Sequence, residues 1–432
     1  MLNTAPSAAD RTPRHIPSCR LCGACLEATL ADLGSSPPCE SFLTREQLNE
    51  IEPFYPLHVW ICGECLLAQL EEYVSPAEVF TEYAYFSAYS TSWVEHARRY
   101  AETTADTFGL GPTSFVVELA SNDGYLLQHF VQRGIPSLGI DPAANVAPAA
   151  AERGVETIVD FFGSRLASDL VPERGHADLV VANNVLAQVP DLNDFVAGMA
   201  ILLAEDGVAT IEVPHLVRLI EGLQFDTIYH EHYSYFSLTT LVRLFDRHGL
   251  EVFDVEELAS HGGSLRVYVK HAGSPSHPST DRVPALLARE ANAGYAGLEG
   301  YSDFGRRVAE VKWKLLELLI GLQRDGKQVV GYGAPGKANT LLNYCGVRRD
   351  LLDYTVDRNP YKQGKFLPGT HIPIHAPDMI DATRPDVILI LPWNLQREIG
   401  AQLEHTQSWG AQLVVPIPEP AILPWADRGE VR

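Results

Sequence analysis

Two cysteine pairs near the N-terminus have the spacing of metal ligands. CRLC at 19–22 and CGEC at 62–65 are both CxxC turns, which bring two thiolates together, and two such turns complete the tetrahedral four-sulfur shell that Zn²⁺ prefers. A closed shell predicts a structural zinc ion. The predicted ligands are Cys19, Cys22, Cys62 and Cys65. Cys25 and Cys39 are spare thiols able to substitute for a ligand, and the alternative interpretation is a set of unrelated buried cysteines.

A second group of residues surrounds the sequence FVVELASNDGYLLQHF at 115–130, in which an apolar strand ends in an acidic residue before a loop and a helix. Backbone amides of such a loop can meet a ligand, and acidic residues suit a positively charged cofactor better than a pyrophosphate. This favours S-adenosylmethionine over NAD. The next strand ends in Asp141, whose carboxylate can accept both ribose hydroxyls.

Two further strands also end in residues suited to a cofactor, including a pair that could flank adenine, Asp160 and Phe161. Ligands of doubly wound sheets bind at this carboxyl edge. The predicted cofactor-binding residues are Glu118, Ala120, Asn122, Gly124, Asp141, Asp160, Phe161, Asn183 and Asn184. Each of the strand-end residues could instead be an ordinary polar cap of the following helix.

A third group is the run DTIYHEHYSYFS at 226–237. Histidine is the natural base near neutral pH, a tyrosine hydroxyl can donate to a developing enolate oxygen, and a glutamate can orient an imidazole. The alternatives are a surface loop with aromatic packing and a second metal site. The metal alternative is disfavoured because no third ligand is apparent nearby.

The sequence GYGAPGK at 331–337 has the strand, glycine-rich turn and helix of a phosphate cradle. Nucleotide hydrolysis is disfavoured because Ala338, not Ser or Thr, follows the lysine. Basic residues of this region could hold a diphosphate. They are Lys337, Arg358, Lys362, Lys365 and His371. The alternative is a tight turn in a structural domain.

These groups must be positioned by alternating strands and helices, which predict an α/β fold with a parallel, doubly wound sheet. FVVEL, SLGID, ETIVDF, DLVVANNV and VATIEV are the predicted strands, and LEVFDVEEL and SLRVYVKHA form a hairpin that closes the sheet. A Pro- and Ser-rich linker at 272–284 precedes a long helical run to about Arg324 and a second, smaller α/β unit. The predicted domains are 1–75, 76–283 and 284–432.

The composition limits the classes of partner. The formal charge of −22 disfavours binding to nucleic acid or anionic membrane. Hydrophobic residues make up 46% of the 432 residues, which is enough for a multidomain globular protein. The chain shows no apolar stretch of membrane-spanning length and no signal-peptide core, so the expected location is the cytoplasm.

Taken together and in order, the motifs resemble the S-adenosylmethionine-dependent C-methyltransferases that act on nucleotide-linked 4-keto-deoxysugars in antibiotic pathways. The matching stretches span nearly the whole chain and include CRLCG, CGEC, EYAYFSAYS, VVELASNDGYLL, NVLAQVPDL, YHEHYSYFS, GYGAPGKANTLLNY and VDRNPYKQGKFLPGTHIPI. The resemblance implies a Rossmann-like class I methyltransferase domain between an N-terminal zinc-binding domain and a C-terminal α/β domain that helps to hold the sugar nucleotide.

The resemblance also implies roles for individual residues. His232 is the expected base, with Tyr229 and Glu231 beside it and Tyr83 reaching into the site. Where the family motif NVxAHVPD has His, this chain has Gln188, which can donate a hydrogen bond to an oxyanion but cannot exchange a proton.

The implied reaction is transfer of a methyl group to a carbon, expected to be carbon 3, of a 4-keto-deoxysugar linked to a nucleotide such as thymidine diphosphate (TDP), through an enolate. Alternatives from other classes are an NAD-dependent sugar-nucleotide dehydrogenase or epimerase and a non-catalytic zinc-knuckle binding protein.

Overall fold

The computed structural model describes residues 17–80, 87–89 and 91–425, which build three β-sheets and the helices around them. The strands are β1 (Ala28–Ser36), β2 (Tyr55–Ile61), β3 (Ala68–Gln69), β4 (Val116–Leu119), β5 (Ser137–Ile140), β6 (Glu156–Ile158), β7 (Ala177–Asn183), β8 (Leu203–Pro214), β9 (Ser234–Tyr235), β10 (Leu250–Leu258), β11 (Ser264–His271), β12 (Val329–Tyr332), β13 (Thr355–Val356), β14 (Ile374–His375), β15 (Val387–Ile390), β16 (Gln412–Val415) and β17 (Ala421–Leu423).

The α-helices lie between these strands. They are α1 (Pro76–Phe80), α2 (Thr91–Phe108), α3 (Leu127–Gln132), α4 (Ala147–Glu152), α5 (Ser164–Arg174), α6 (Leu192–Leu202), α7 (Leu216–Glu221), α8 (Leu238–Asp246), α9 (Arg282–Asn292), α10 (Phe304–Arg324), α11 (Gly336–Cys345), α12 (Met379–Thr383) and α13 (Gln396–Gln402). None of the helices in the described part of the chain combines the length and the apolar character that a bilayer span requires.

The central sheet has the order β10-β11-β8-β7-β4-β5-β6 and confirms the predicted α/β class. Its strands from β8 to β6 are parallel, and the hairpin β10–β11 pairs antiparallel to β8. All four residues of β4 are buried, as expected for a strand with helices on both faces. The carboxyl ends of β4, β5 and β7 therefore meet at one edge of the sheet.

The C-terminal sheet has the order β14-β13-β12-β15-β16-β17 and is parallel except for β17. The predicted strand, turn and helix of GYGAPGK are β12, residues 333–335 and α11. Gly333 has φ +91°, and a Cβ there would lie 2.5 Å from Cδ of Pro392. Both the backbone conformation and the close approach of Pro392 require glycine at this position.

The N-terminal sheet has the order β1-β2-β3-β9, so its fourth strand comes from a segment more than 150 residues further along the chain. β3 pairs antiparallel with β9, which lies inside the run YHEHYSYFS. The predicted domain 1–75 did not include this strand. A two-residue strand has too short a pattern to be recognised, and its partner is distant in sequence.

The predicted long helical run to Arg324 is interrupted at residues 293–303, where AGYAGLEG supplies three glycines that disfavour a continuous helix. The run therefore forms two helices, α9 and α10. Although the sequence analysis placed α9 in the C-terminal domain, its Arg289 pairs with Glu257 of β10, and its Glu290 accepts hydrogen bonds from the first amides of α8. α9 thus packs on the central domain.

Candidate functional site

The four cysteines of the CxxC turns form one cluster. All four Sγ atoms lie within 4.8 Å of one another; Cys19 Sγ is 3.4 Å from Cys65 Sγ, and Cys22 Sγ is 3.5 Å from Cys62 Sγ. Tetrahedral zinc with Zn–S bonds of about 2.3 Å separates its sulfur ligands by about 3.8 Å. These donors therefore fit a zinc ion with a closed shell.

The two spare thiols lie apart from this cluster. Cys25 is exposed, whereas Cys39 is buried and its thiol donates to Glu231 Oε1 at 3.6 Å. The clustered set of four does not include either residue. The structure therefore favours the ligand set that the CxxC spacing predicts.

The zinc cluster is connected directly to the histidine and tyrosine run. Gln69 of β3, which pairs with β9, donates from Nε2 to Cys19 Sγ at 3.2 Å. Arg20, between two of the cysteine ligands, donates to the carbonyl of Pro190 at 2.9 Å and lies 5.5 Å from the centroid of the Tyr233 ring. The metal centre thus fixes both the run at 226–237 and the loop that carries Gln188.

A cavity of about 1090 Å³ lies among the three domains. Its lining comes from the N-terminal segment 38–41, the strand ends of the central domain, the histidine and tyrosine run, and the C-terminal turn at 335–337. Ligand pockets usually measure about 300–1,000 Å³. The volume of this cavity is at the upper end of that range.

The loop after β4 forms one wall of the cavity. Ala120 and Asn122 line it with φ of 59° and 49°, in the left-handed region that few non-glycine residues adopt. Asp141 also lines it, and its two carboxylate oxygens accept the amides of Asn122 and Ala143 at 2.8 and 2.9 Å. Because a carboxylate offers about four lone-pair sites, Asp141 can shape this loop and still accept hydroxyl groups of a ligand.

Two residues predicted to bind the cofactor lie behind this loop and do not line the cavity. Glu118 is buried, which raises the pKa of its carboxyl well above the usual value, with Asp141 and Asp123 adding to the effect. Gly124 has φ +75°, and a Cβ there would lie 3.2 Å from Cα of Ala150. Neither residue lines the cavity, and their contact with a cofactor stays a prediction.

The other predicted cofactor residues line the cavity. Phe161 is 44% exposed, so its ring offers an apolar face, and Asp160 beside it pairs with Arg165. Asn183 Oδ1 and both carboxamide atoms of Asn184 are buried without a hydrogen-bond partner in the described part of the chain. Unpaired buried polar groups are costly, so they favour a polar ligand. Carboxylate and amide groups of this kind fit S-adenosylmethionine.

His232 lines the cavity in a state that can accept a proton. Its Nδ1 lies 3.3 Å from the carbonyl oxygen of Thr227, which can only accept, so Nδ1 carries the proton and Nε2 has the free lone pair. Burial lowers the pKa of His232 to about 3, with the charge of Lys337 contributing. The imidazole is therefore neutral at ordinary pH. The Tyr229 ring centroid lies 4.1 Å from that of His232.

Three more residues are expected at the reaction centre, Gln188, Glu231 and Tyr83, and the run also contains a second histidine, His230, which is not expected there. Gln188 and Glu231 line the cavity. Burial, with Glu40 adding to it, raises the pKa of Glu231 to about 7, so its carboxyl can carry a proton near neutral pH. Tyr83 lies outside the described residues, and its predicted role stays a prediction. His230 contacts the carbonyls of 55–56 and does not line the cavity.

The five basic residues predicted to hold a diphosphate are not brought together. Lys337 and Lys362 line the cavity, whereas the other three do not. Arg358 is exposed beside Glu398, and His371 Nε2 lies 3.0 Å from Glu52 Oε2. Lys365 lies on the segment between them, away from the lining. Residues 364–365 of this run form backbone hydrogen bonds with Ile374 of β14. The run therefore folds back along β14, and its basic side chains are close in sequence but not in space.

Several residues of the cavity were not predicted from the sequence, and one that could do chemistry is His261. It lies in the turn between β10 and β11 with φ 55°, and its side chain is exposed and lines the cavity. The preceding Ser260 donates to the buried carboxylate of Glu212, which also pairs with Arg266, so the turn is held in place. The sequence signal was a histidine before two glycines, which any hairpin turn can show.

We expect Asp141→Ala to weaken S-adenosylmethionine binding by about 1.5–3 kcal/mol, since it removes a charged acceptor that could bind two hydroxyls. Calorimetry should show a Kd higher by about 10–150-fold. Asp106→Ala, which removes an exposed aspartate that pairs with Arg133 away from the cavity, is the matched control. Unchanged affinity in Asp141→Ala would place the cofactor elsewhere.

Three family models match the chain in succession. A model of a zinc binding domain matches residues 19–80, a methyltransferase domain matches 93–255, and the C-methyltransferase C-terminal domain matches 259–418. Among curated proteins, the C-methyltransferase NovU of Streptomyces niveus is 38% identical over 410 residues, covering 95% of this chain and 97% of its own.

Solved structures resemble the central part of the chain more weakly. The 1,6-didemethyltoxoflavin-N1-methyltransferase of Burkholderia thailandensis is 20% identical with a TM-score of 0.34, covering 48% of this chain and 95% of its own. An S-adenosylmethionine-dependent methyltransferase of Clostridium acetobutylicum is 11% identical with a TM-score of 0.34, covering 42% and 92%. Nothing about the chemistry of this chain follows from these two likenesses.

Proposed function

Because the chain belongs to the C-methyltransferase family and is an S-adenosylmethionine-dependent enzyme with a structural zinc site, we propose that it methylates carbon 3 of a nucleotide-linked 4-keto-deoxysugar. Membership of this family argues against both alternatives, a nicotinamide-dependent dehydrogenase or epimerase and a non-catalytic zinc module. The observation that carries the proposal is a neutral histidine, His232, in the same cavity as the cofactor loop.

Methylation at carbon requires a carbon nucleophile, which a base must generate. A ketone at carbon 4 acidifies the proton on carbon 3, and Nε2 of His232 is the nitrogen able to take it. The hydrogen bond from Nδ1 to Thr227 holds the ring in the tautomer that this step needs. The low pKa of His232 keeps the ring uncharged before the substrate binds.

The enolate that forms must be stabilised and held in place. Tyr229, whose ring lies against His232, and Gln188, on the loop fixed by Arg20, supply a hydroxyl and a carboxamide as hydrogen-bond donors. Bound S-adenosylmethionine supplies an electrophilic methyl group on a sulfonium. The shared cavity aligns the two ligands, which is the main requirement of a displacement at a methyl carbon.

Gln188 and Glu231 differ in whether they can transfer a proton near this enolate. Gln188 can donate a hydrogen bond to the enolate oxygen from its carboxamide nitrogen, but it cannot transfer a proton. Glu231, with its pKa near 7, is the cavity carboxyl able to gain or lose a proton under ordinary conditions. We therefore assign removal of the carbon 3 proton to His232. Glu231, the preceding residue in the sequence, is a second group that can gain or lose a proton near neutral pH.

The proposal predicts methyl transfer to nucleotide 4-keto sugars and not to their reduced counterparts. The enzyme should transfer labelled methyl from S-adenosylmethionine to carbon 3 of at least one TDP-linked 4-keto-deoxysugar in a panel. The matched 4-hydroxy sugars should remain unmethylated because their carbon 3 proton is not acidic. Product mass and NMR assignment of the new methyl carbon measure this. Methylation of an oxygen, or of the 4-hydroxy sugars, would rule out the enolate route.

A further inference from the structure

Two basic side chains line the cavity in the described part of the chain, Lys337 and Lys362. Lys362 has partners already: its Nζ donates to the carbonyl of Ala334 at 2.9 Å, lies 3.5 Å from Glu40 Oε2, and sits over the Phe42 ring. A negative charge that develops in the cavity would therefore have to compete with Glu40 for Lys362.

Lys337 has a different environment. Its Nζ donates to the neutral carboxamide of Asn394 at 3.2 Å and lies 4.8 Å from the centroid of the Trp393 ring. Among the described residues no carboxylate lies within ion-pair distance of it. Burial lowers the pKa of Lys337, with the more distant Asp226 opposing this effect. An anion placed beside Nζ would restore the preference for the ammonium form.

A chain of contacts places Lys337 on the same wall as the base. Trp393, below the lysine, donates from Nε1 to Asp226 Oδ2 at 2.7 Å. Asp226 precedes Thr227, whose carbonyl holds His232. Trp393 also packs against Gly262, next to His261, since a Cβ on Gly262 would lie 2.9 Å from the indole ring. The charge of Lys337 reaches both histidines, because it lowers both of their pKa values.

We propose that Lys337 is a catalytic residue whose ammonium group stabilises the enolate oxygen at carbon 4, in place of the diphosphate contact that its glycine-rich turn suggests. This inference rests on the proposed function. Lys337 is the amine on this wall, and an enolate oxygen placed beside its Nζ would favour the charged ammonium form. A charged donor in a buried cavity stabilises an oxyanion more than neutral donors such as Tyr229 and Gln188 do.

The step balances as follows. Nε2 of His232 takes the carbon 3 proton, the C–H electron pair becomes the π bond of a C3–C4 double bond, and the carbonyl π pair moves onto oxygen, beside the ammonium of Lys337. Carbon 3 then bonds to the methyl carbon, the methyl–sulfur bond breaks with its electron pair on sulfur, and the carbonyl re-forms. Lys337 also repels the positive charge that His232 gains when it takes the proton. The lysine therefore stabilises the enolate and protonated His232 together only if its ammonium group lies closer to the enolate oxygen than to the imidazole ring.

The test compares Lys337→Met with Lys327→Met, a matched change of an exposed lysine that pairs with Asp386 in the same domain. Exchange of the carbon 3 proton with deuterated water is followed at saturating substrate without a methyl donor. We expect Lys337→Met to exchange about 10²–10³-fold more slowly. Its affinities for TDP and S-adenosylmethionine and its melting temperature should match those of Lys327→Met. Ethylammonium should restore part of the exchange in Lys337→Ala.

Other results separate the alternatives. A Lys337→Met enzyme that binds TDP at least tenfold more weakly but exchanges at the wild-type rate when saturated would show that this lysine holds the diphosphate and would overturn the inference. Normal exchange and normal TDP binding would also overturn it. If the wild-type enzyme exchanges no carbon 3 proton in any 4-keto sugar of the panel, the proposed function fails, and this inference fails with it.

Discussion

Replacing His232 by asparagine should slow exchange of the carbon 3 proton, and methyl transfer with it, by at least about a hundredfold. General bases contribute about 10²–10⁴ in rate, and the asparagine has no nitrogen that can accept the proton. Asparagine approximates the shape of the ring at Nδ1 and can still donate to Thr227, so the segment should keep its conformation. Exchange followed by NMR in deuterated water, without a methyl donor, isolates this step.

The neighbouring histidine provides the matched control. His230 is also buried, but it contacts backbone carbonyls of the N-terminal domain and does not line the cavity. His230→Asn should therefore exchange at close to the wild-type rate. Wild-type exchange in His232→Asn, together with loss in a Tyr229 or Glu231 variant, would assign the base to another residue while leaving the enolate mechanism intact.

Removal of a zinc ligand should slow carbon 3 proton exchange to a similar extent, but by disrupting the fold around the zinc site. Cys62→Ser breaks the four-sulfur shell, and structural zinc sites of this kind contribute folding free energy directly. Because β3 joins the zinc cluster to β9, we expect the variant to lose its zinc and most of its exchange activity. Metal analysis should find about one zinc per wild-type chain and much less in the variant.

Cys25→Ser tests the same substitution at an exposed thiol outside the cluster, and it should retain zinc and activity. S-adenosylmethionine binding in Cys62→Ser should fall less than exchange does, since the cofactor loop belongs to the central sheet. The assignment of the ligands would be wrong if Cys62→Ser kept a full equivalent of zinc and the wild-type melting temperature.

The features that the sequence predicted best are those encoded locally. A CxxC pair is one turn, and an apolar strand followed by an acidic residue and a glycine loop is one supersecondary unit, so the zinc ligands and the loop around Asn122 could be read from short windows. The strand pattern likewise predicted the central sheet and its closing hairpin. In these cases the side chains that interact are close in sequence or repeat with a known period.

The features that it did not predict depend on distant segments meeting. The pairing of β3 with β9 joins residues that are separated by the strands β4 to β8 of the central sheet, and no local pattern records it. His261 becomes a cavity residue because a turn of the central sheet approaches Trp393 of the C-terminal domain. Arg358 and His371 lie outside the cavity that contains Lys337, and each pairs with a nearby acidic residue.

The pairing of β3 with β9 also affects how the chain can fold during its synthesis on the ribosome. The N-terminal sheet stays one strand short, with an open edge, until residues 234–235 have been synthesised. Metal binding can begin once Cys65 has been synthesised. β9 can pair with β3 only after the intervening strands β4 to β8 have been synthesised and have brought residues 234–235 back to the N-terminal sheet. Chimeras that exchange the first 80 residues with a relative should therefore succeed only when the segment around β9 is exchanged with them.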